Sequence, residues 1–254
     1  MERALYDRIG SGYSTTRQTD PRLAQLIWDA LGDAETVLNV GAGTGAYEPP
    51  DRTVLAVEPS TVMLGQRPAN TAPAVQASAE SLPFADNSFD AVMAVHSDHH
   101  WRGRRQGLRE LRRVARRRVV LFNADPADAE RFWLTAEYLR AFLDLIPGRY
   151  RGAGAWQHEL EQSLGPVRLI AAPIPHDCLD GFYGAFWRRP AAYLEPAVRD
   201  GISVFSALDA DHVTRAIHEL DTDVRSGAWD RRHDDLRHRS ELHLGYYAVT
   251  AEVS

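Results

Sequence analysis

The sequence is most informative at Val37-Leu38-Asn39-Val40-Gly41-Ala42-Gly43-Thr44-Gly45. The short apolar run from Thr36 to Val40 predicts a buried strand. The glycines that follow let the backbone turn sharply and approach a ligand closely, because glycine has no side chain. A strand that runs directly into such a turn is typical of a nucleotide-binding α/β sheet.

An acidic residue ends the next strand of this pattern. Glu58 follows the apolar run Thr53–Val57, where its carboxylate is placed to accept hydrogen bonds from two ribose hydroxyls. This pairing is compatible with a dinucleotide or with an adenosine-type cofactor. Because the glycine spacing is not Gly-x-Gly-x-x-Gly, pyrophosphate on a helix N-terminus is the weaker alternative.

The composition excludes several classes of protein. The 254 residues are 44% hydrophobic and 25% charged, which is ordinary for a globular chain and unlike collagen, coiled coils or disordered proteins. A net charge of −6 argues against a nucleic-acid binder that depends on phosphate contacts. All 29 basic residues are arginine, so neither a lysine Schiff base nor a lysine general base is available.

The cellular setting is predicted from cysteine usage and from the N-terminus. Cys178 is the only cysteine, which excludes an intramolecular disulfide and favours a reducing compartment. Met1-Glu2-Arg3-Ala4 does not open a signal peptide, and no apolar run approaches the roughly 20 residues that cross a bilayer. We therefore expect a cytoplasmic protein with no membrane partner.

Strand-like and helix-like segments alternate through the first half of the chain, which predicts a parallel sheet flanked by helices. The strand candidates are Thr36–Val40, Thr53–Val57, Phe89–Val95, Arg118–Phe122, Pro166–Ala172 and Leu244–Ala251. The helix candidates are Pro21–Leu31, Arg104–Val114, Ala129–Ile146 and Asp209–Ser226. Asp20 is the expected N-cap of the first helix, and Gly227 the expected C-cap of the last.

This order of elements predicts one domain over residues 1–254. Residues 1–35 form an N-terminal cap and first helix, and residues 36–173 form the cofactor-binding core. Residues 174–242 form a lid or substrate insertion, and residues 243–254 supply the last strand.

Four motifs together resemble class I S-adenosylmethionine-dependent methyltransferases. They are Asn39–Gly45, Val57-Glu58-Pro59-Ser60, Ala77-Ser78-Ala79-Glu80-Ser81-Leu82-Pro83-Phe84 and Asp86-Asn87-Ser88-Phe89-Asp90. The resemblance implies a Rossmann-like α/β fold with a mostly parallel seven-stranded sheet, helices on both faces and a helical or loop lid. It also implies S-adenosyl-L-methionine as the cofactor.

Further motifs are similar to a bacterial subgroup of this superfamily whose substrates are mostly undefined. They are Arg67-Pro68-Ala69, Leu108–Val114, Pro173–Cys178, Asp180-Gly181-Phe182, Arg189-Pro190 and Ser226–Asp230. The resemblance extends over nearly the whole chain. Its motifs are specific for fold and cofactor, and they do not name a substrate.

The resemblance assigns cofactor contacts residue by residue. Gly41, Gly43 and Gly45 would line the methionine and ribose portions, and Glu58 would hold the ribose hydroxyls. Ala79 and Glu80 would flank the adenine.

Two positions depart from the pattern of the superfamily. Asn39 stands where an acidic residue often supports the cofactor's amino group, and its amide oxygen accepts a hydrogen bond without the charge. Ser78 stands where aspartate often receives the adenine amino group. We also expect the N-terminal segment with Tyr6, Tyr13 and Arg17 to cover the methionine end, Arg17 pairing with the cofactor carboxylate.

The segment His96-Ser97-Asp98-His99-His100-Trp101 follows the strand Phe89–Val95. Ligands of open α/β sheets bind beyond the carboxyl ends of strands, so this segment should face the active site. His96, Asp98 and His100 would share one side of an extended segment, and a carboxylate beside an imidazole raises its basicity. They are the catalytic candidates, and Trp101 is a candidate substrate contact. The spacing suits no common zinc pattern, so no metal is expected.

The lid contains an aromatic group that admits two interpretations. His176, Phe182 and Phe186 lie close in sequence among other aromatic residues, and they are the lid's candidate substrate contacts. The same residues are equally compatible with a packing core of the insertion.

Methyl transfer from S-adenosylmethionine to a small molecule, in bacterial secondary metabolism such as antibiotic biosynthesis, is the leading hypothesis. The alternative keeps the fold but catalyses a non-methylating elimination or cyclisation, with loss of a leaving group. A non-catalytic binding protein is the third class. The sequence leaves open whether the chain acts alone, as a homo-oligomer or with a partner subunit.

Overall fold

A seven-stranded sheet is the centre of the computed structural model, which describes residues 16–150 and 152–253. In chain order its strands are β1 (Thr36–Val40), β2 (Thr53–Val57), β3 (Ala74–Val75), β4 (Phe89–Val95), β5 (Ala115–Ala124), β6 (Val167–Ala171) and β9 (Tyr246–Glu252). Their spatial order is β3-β2-β1-β4-β5-β9-β6. β9 runs antiparallel to both of its neighbours, and the remaining pairs are parallel. The predicted mostly parallel sheet is confirmed.

The helices of the described chain follow the strands as the sequence pattern predicts for an α/β fold. They are α1 (Pro21–Ala30), α2 (Thr61–Gly65), α3 (Arg104–Val114), α4 (Phe142–Leu145), α5 (Ala155–Leu164), α6 (Pro196–Asp200), α7 (Ser203–Ala207), α8 (Ala210–Ser226) and α9 (Ala228–Arg232). The Asp20 carboxylate accepts from the Arg22 N–H at the start of α1, and Gly227 ends α8 with a φ of 71°. Both predicted caps are present.

The sheet buries a separate apolar cluster on each face. Val37, Met93 and Val120 pack into one cluster with α1, while Leu38 and Val92 pack into the other with α3 and α5. Neighbouring strand residues belong to opposite clusters because successive side chains of a strand point to opposite faces. Helices therefore cover both faces, as expected.

The long helix predicted over Ala129–Ile146 is not formed. Residues Pro126–Arg131 make a 3₁₀ turn, Leu134–Tyr138 a π-helical turn and Phe142–Leu145 a single α-helical turn. Phe132, Trp133 and Leu134 are consecutive and all buried, which one face of a regular helix cannot achieve. Packing against the lid overrides the local helical pattern here.

The segment 174–242 packs on the same face of the sheet as α1. Its large side chains, Phe182, Trp187, Tyr193 and Trp229, belong to the apolar cluster that contains the α1 residue Ile27. A short two-stranded sheet, β7 (Ile174–Pro175) with β8 (Glu241–Leu242), closes the base of this segment.

The strand order reverses between β1 and β4. Connections lead from β1 outward to β2 and β3, and then return to β4 on the other side of β1. Open α/β sheets bind ligands at the carboxyl end of such a switch point. The glycine turn follows β1 and the histidine segment follows β4, so both lie at this position.

Candidate active site

The glycine turn is held by the acidic residue that ends β2. Glu58 is buried, and its carboxylate accepts hydrogen bonds from the Gly43 N–H at 2.9 Å and the Ser60 N–H at 2.8 Å. A carboxylate accepts hydrogen bonds, and ribose hydroxyls donate them. The acceptor expected for the ribose hydroxyls therefore lies at the carboxyl end of β2, beside the glycine turn.

Two glycines of the turn are needed for different reasons. Gly41 has a φ of 70°, and a Cβ there would lie 2.5 Å from Ser97 Cβ, so the close approach of the histidine segment requires glycine. Gly43 has a φ of 52°, but an added Cβ would meet only the end of the Met63 side chain, at 3.3 Å. Gly41 is thus a packing requirement, while Gly43 presents its backbone at the surface expected to face a cofactor.

An ion pair lies behind the turn. The Asn39 amide donates to Glu48 at 3.3 Å, and Glu48 pairs with Arg67 at 2.8 Å. Arg67 also donates to the Gly43 carbonyl at 3.1 Å. Position 39 has no carboxylate of its own, but the Glu48 carboxylate lies next to Asn39. Arg67 neutralises the charge of Glu48.

The loop after β3 places the expected adenine contacts at the next position along the sheet edge. Ala79 is buried, Ser78 is exposed, and the Glu80 carboxylate accepts from the Gly103 N–H at 3.1 Å. Partial burial disfavours the charge of Glu80, but the Gly103 and Ser78 hydrogen bonds hold its pKa below the ordinary value. The Ser78 hydroxyl is therefore already engaged by its neighbour Glu80.

The histidine segment lies between this turn and a large cavity. The Ser97 hydroxyl donates to the Val40 carbonyl at 2.9 Å, which ties the segment to the end of β1. Asp98–His100 form a 3₁₀ turn, so the predicted alternation of an extended segment is wrong. The cause is the His100 N–H, which bonds to the Ser97 carbonyl at 2.9 Å and curls the chain.

The cavity has a volume of about 1060 Å³. The histidine segment lines it with His96, Asp98, His99, His100 and Trp101. The end of β5 and the lid contribute further lining residues, among them Asn123, Phe132, Phe182, Tyr183 and Tyr246. All three catalytic candidates thus reach one cavity, together with Trp101 and Phe182 of the candidate substrate contacts.

His96 lies in an aromatic cage with a strained backbone. Its φ is 50°, which is unusual for a residue other than glycine. The ring lies 4.8 Å from the Phe182 ring, 5.0 Å from Phe122 and 5.8 Å from Tyr246, measured between centroids. Within the described chain no hydrogen-bond partner reaches the buried Nε2 atom. Burial, with the nearby Arg17 charge, lowers the pKa of His96 well below its ordinary value, so the ring is neutral at pH 7.

Asp98 is committed to a different partner from the one expected. Its carboxylate pairs with Arg104 at 2.7 Å and accepts from the Asn123 amide, and its side chain is fully buried. Burial alone would raise the pKa of Asp98, but Arg104 and Asn123 hold it below the ordinary value. Asp98 therefore anchors α3 and the end of β5.

His99, which the sequence did not single out, is held by the same network. Its Nδ1 lies 3.0 Å from the Asn123 amide nitrogen, and its ring lies 3.8 Å from that of His100. Burial among protein groups lowers the pKa of His99 to about 4 and that of His100 well below its ordinary value. The cavity thus presents neutral imidazoles at pH 7.

Of the N-terminal candidates, the structure describes Arg17. Tyr6 and Tyr13 lie outside the described residues. Arg17 pairs with the buried Asp180 at 2.6 Å, and the Tyr47 hydroxyl donates to the same carboxylate at 2.9 Å. Arg17 therefore ties the segment before α1 to the segment 174–242, and its pairing with a cofactor carboxylate stays a prediction.

Two lid candidates lie away from the cavity lining. His176 contacts the Ser240 carbonyl at 3.1 Å beside the β7–β8 pair. Phe186 packs on Tyr193 with centroids 5.6 Å apart, and the Arg189 guanidinium lies 4.8 Å from its ring. Phe186 thus packs among other aromatic side chains and His176 contacts the backbone beside the β7–β8 pair, so neither side chain lines the cavity.

Sequence reasoning missed Asn123, Arg104 and Glu48. Asn123 was overlooked because the predicted strand ended at Phe122, whereas β5 continues to Ala124. A polar residue at the carboxyl end of a strand is the signal that would have found it. No sequence motif marks Arg104 or Glu48. The residues they pair with are distant in sequence or belong to no known motif. Within the described chain no group of three or more His, Cys, Asp or Glu side chains is arranged so that it could hold a metal ion.

Known proteins are similar to this chain in sequence. The family described as "Methyltransferase domain" matches residues 38–122. A demethylmenaquinone methyltransferase of Renibacterium salmoninarum is 30% identical over 162 residues, covering 58% of this chain and 68% of that protein.

Solved structures extend the match to the whole chain. A protein from Anabaena variabilis, described as a putative methyltransferase from an antibiotic biosynthesis pathway, is 31% identical with a TM-score of 0.83. The match covers 93% of this chain and 98% of that one. The 4+2 cyclase SpnF is 15% identical with a TM-score of 0.51, over 98% of this chain and 94% of that one, and shares the fold alone.

Proposed function

The chain belongs to the class I S-adenosylmethionine-dependent methyltransferase superfamily, and we propose that it transfers a methyl group from S-adenosylmethionine to a small molecule. One observation carries the proposal. The segment His96–Trp101 contacts the glycine turn through Ser97 and Gly41, and lines the 1060 Å³ cavity with its other residues. A cofactor held at the turn and an acceptor held in the cavity would meet across this segment.

The cofactor residues follow from the edge of the sheet. Glu58 would bind the ribose hydroxyls, Gly41, Gly43 and Gly45 the neighbouring ribose and methionine portions, and Ala79 with Glu80 the adenine. Asn39, Glu48 and Arg67 support the turn from behind. When bound, S-adenosylmethionine supplies an electrophilic methyl group.

The chain's own contribution is alignment and proton removal. We assign His96 as the base that takes the acceptor proton, because its ring is neutral and its Nε2 has no hydrogen-bond partner in the described chain. His100 is the second candidate base. Asp98 acts as a positioning residue through Arg104 and Asn123. Phe182 and Trp101 would wall the acceptor, and the segment 174–242 would serve as the lid that excludes water.

Two measurements test the proposal. Calorimetry with S-adenosylmethionine and S-adenosylhomocysteine should give a saturable, one-to-one binding isotherm that Glu58→Ala weakens. Methyl-labelled cofactor incubated with hydroxyl, amine and enol acceptors should then transfer label to one class. No binding of either cofactor form would refute the proposal. The likeness to the Anabaena variabilis protein supports a role in secondary metabolism and makes its gene neighbourhood the source of acceptors to try.

A second candidate function is a non-methylating elimination or cyclisation on the same fold. The Asn39–Glu48–Arg67 arrangement favours it, because the carboxylate nearest position 39 is neutralised by an arginine that also bonds the glycine turn. This candidate would be supported if the cofactor binds and stays intact while a substrate is cyclised, with or without a partner subunit.

Within the described residues, no helix is long and apolar enough to span a bilayer.

A further inference from the structure

One rim of the cavity carries an unbalanced group of charges. Glu159 of α5 is buried, and three guanidinium groups approach its carboxylate. The nitrogen–oxygen distances are 2.8 Å to Arg104, 3.3 Å to Arg105 and 3.4 Å to Arg149. Arg104 and Arg105 open α3, while Arg149 lies in the turn before α5. One carboxylate is therefore shared among three cations.

Asp98 is the second carboxylate of this group, and it is already paired. It contacts the same Arg104 at 2.7 Å, on the side of the guanidinium away from Glu159. Arg104 is thus neutralised from both sides and its side chain is only 10% exposed. The excess positive charge lies on Arg105 and Arg149, whose side chains are 56% and 55% exposed.

The two exposed arginines are held in place at the cavity edge. The Arg149 guanidinium lies 4.7 Å from the Tyr150 ring centroid, and Arg105 is anchored by Glu159. Both residues line the cavity. Arginine held in this way loses less side-chain entropy when it binds an oxyanion, and its planar fork suits carboxylate and phosphate groups.

Much of the remaining cavity lining is apolar. It includes Phe132, Phe142, Phe182 and Ile202, and the imidazoles of His96 and His100 in the same lining are neutral at pH 7. A ligand that fills the cavity would therefore place an apolar, ring-containing body among these side chains. An anionic group on such a ligand would be favoured at the rim, where Arg105 and Arg149 are exposed.

We propose that the acceptor is an amphipathic compound with an apolar aromatic body and an anionic group, a carboxylate or a phosphate, bound at the rim by Arg105 and Arg149. The identification of this ligand as the methyl acceptor rests on the proposed function. The anion-binding site itself does not depend on the proposed function, because it is inferred from the charges of the rim and from the side chains that line the cavity.

The test uses three probes that share one ring system: 2-naphthoate, 2-naphthyl phosphate and the uncharged 2-naphthamide. Affinities are measured by quenching of tryptophan fluorescence or by calorimetry, in 50 mM salt. We expect at least one anion to bind five-fold or more tighter than 2-naphthamide. We also expect the difference in affinity between the anions and 2-naphthamide to become smaller when the salt is raised to 500 mM. Salt screens exposed charges, and Arg105 and Arg149 are exposed. Tighter binding of the phosphate or of the carboxylate would identify which anion the rim prefers.

Matched variants connect the preference to the rim. The double variant Arg105→Gln with Arg149→Gln should bring the anion preference below two-fold, while affinity for 2-naphthamide stays the same. Arg109→Gln is the control, because Arg109 is an exposed arginine of the same helix that does not line the cavity. Circular dichroism checks that each variant is folded.

Any one of three outcomes would overturn the inference. They are an anion preference below five-fold in the parent protein, no measurable anion binding, and an anion preference that survives in the double variant. Calorimetry with S-adenosylmethionine is independent of these measurements. A protein that selects the anion through Arg105 and Arg149 but binds no cofactor would refute the proposed function and leave this site standing.

Discussion

Asn123 determines which nitrogen of His99 carries the proton. The Asn123 amide oxygen accepts from the Ala124 N–H at 2.9 Å, so its nitrogen faces Asp98 and lies 3.0 Å from His99 Nδ1. An amide nitrogen can only donate, and Nδ1 of a neutral imidazole must then accept. His99 therefore carries its proton on Nε2 and acts as a hydrogen-bond donor, which leaves the role of base to His96 or His100.

Replacing Asn123 tests this assignment. Asn123→Leu keeps a similar volume but removes the donor to Asp98 and to His99, and each buried acceptor left unsatisfied costs about 1–3 kcal/mol. We expect a lower unfolding temperature. In ¹⁵N NMR of the imidazoles, we expect a shift of His99 from the Nε2-protonated form to a mixture. The signals of His158, which pairs with Gln162 on α5, serve as the internal control. An Nδ1-protonated His99 in the parent protein would contradict the assignment.

His96→Phe should lower turnover at least ten-fold with little change in cofactor affinity. Phenylalanine keeps the packing against Phe182 and Phe122 but removes the base, whose loss commonly costs about 10²–10⁴-fold in rate. His176→Phe is the matched control, because that residue lies away from the cavity lining, and its turnover should stay near that of the parent. Equal turnover in the two variants would mean that His96 only fills space, and His100 would become the base to test.

Asp98→Asn should act differently from His96→Phe. It removes one of the two carboxylates that pair with the buried Arg104, and because Glu159 still faces this guanidinium the cost should stay below the roughly 3–5 kcal/mol of leaving a buried charge unpaired. We expect a marked fall in the unfolding temperature together with the loss of turnover. The Asp98 carboxylate is bonded to Arg104 and Asn123 and not to His96. In the double variant His96→Phe with Asp98→Asn, the two fold-losses of turnover should therefore multiply. A double variant no worse than the poorer single one would instead show that Asp98 and His96 work as one unit.

Glu58→Ala should weaken cofactor binding by about 1.5–3 kcal/mol, the range for hydrogen bonds to a charged group. Gly43→Val should abolish binding, and because the φ of Gly43 is 52° it should also lower stability through the left-handed backbone, by about 1–2 kcal/mol. Gly41→Ala should destabilise the protein more, because it adds to the same backbone strain a clash between the new Cβ and Ser97. Calorimetry combined with thermal unfolding distinguishes the two effects. Unchanged affinity in both Glu58→Ala and Gly43→Val would remove the cofactor from this turn.

Acid should destabilise the protein through its neutral histidines. Burial lowers the pKa of His96 well below 6.5, so below pH 6.5 the unfolded chain binds a proton that the native state refuses. Stability must then fall as the pH is lowered from 6.5 toward 4.5, with a slope approaching about 1.4 kcal/mol per pH unit for His96. Denaturant unfolding across this window should show a smaller slope for His96→Phe than for the parent protein. Identical slopes in the two proteins would contradict a buried neutral His96.

Local sequence signals suffice to predict the sheet and the edge at which the carboxyl ends of its strands meet. Apolar runs followed by Gly41, Glu58 and His96 identify β1, β2 and β4, because a parallel strand buried on both faces is mostly apolar and its continuation must emerge at the carboxyl end. Such local signals placed the glycine turn, Glu58 and the histidine segment correctly at one edge of the sheet. Capping by Asp20 and Gly227 was predictable for the same reason, since a cap acts within a few residues of its own chain.

Which charges pair with each other depends on the folded arrangement of the chain. Asp98 is bonded to Arg104 and Asn123 instead of His96, and Arg17 is bonded to Asp180, 163 residues away. Residues 129–146 break into short turns because three consecutive large side chains are buried against the lid. Ion pairs and buried aromatic contacts join residues that are distant in sequence, and their energies depend on distance and desolvation in the folded state. No local pattern records those quantities, so the partners of His99, Glu48 and Arg149 appear only when the chain is folded.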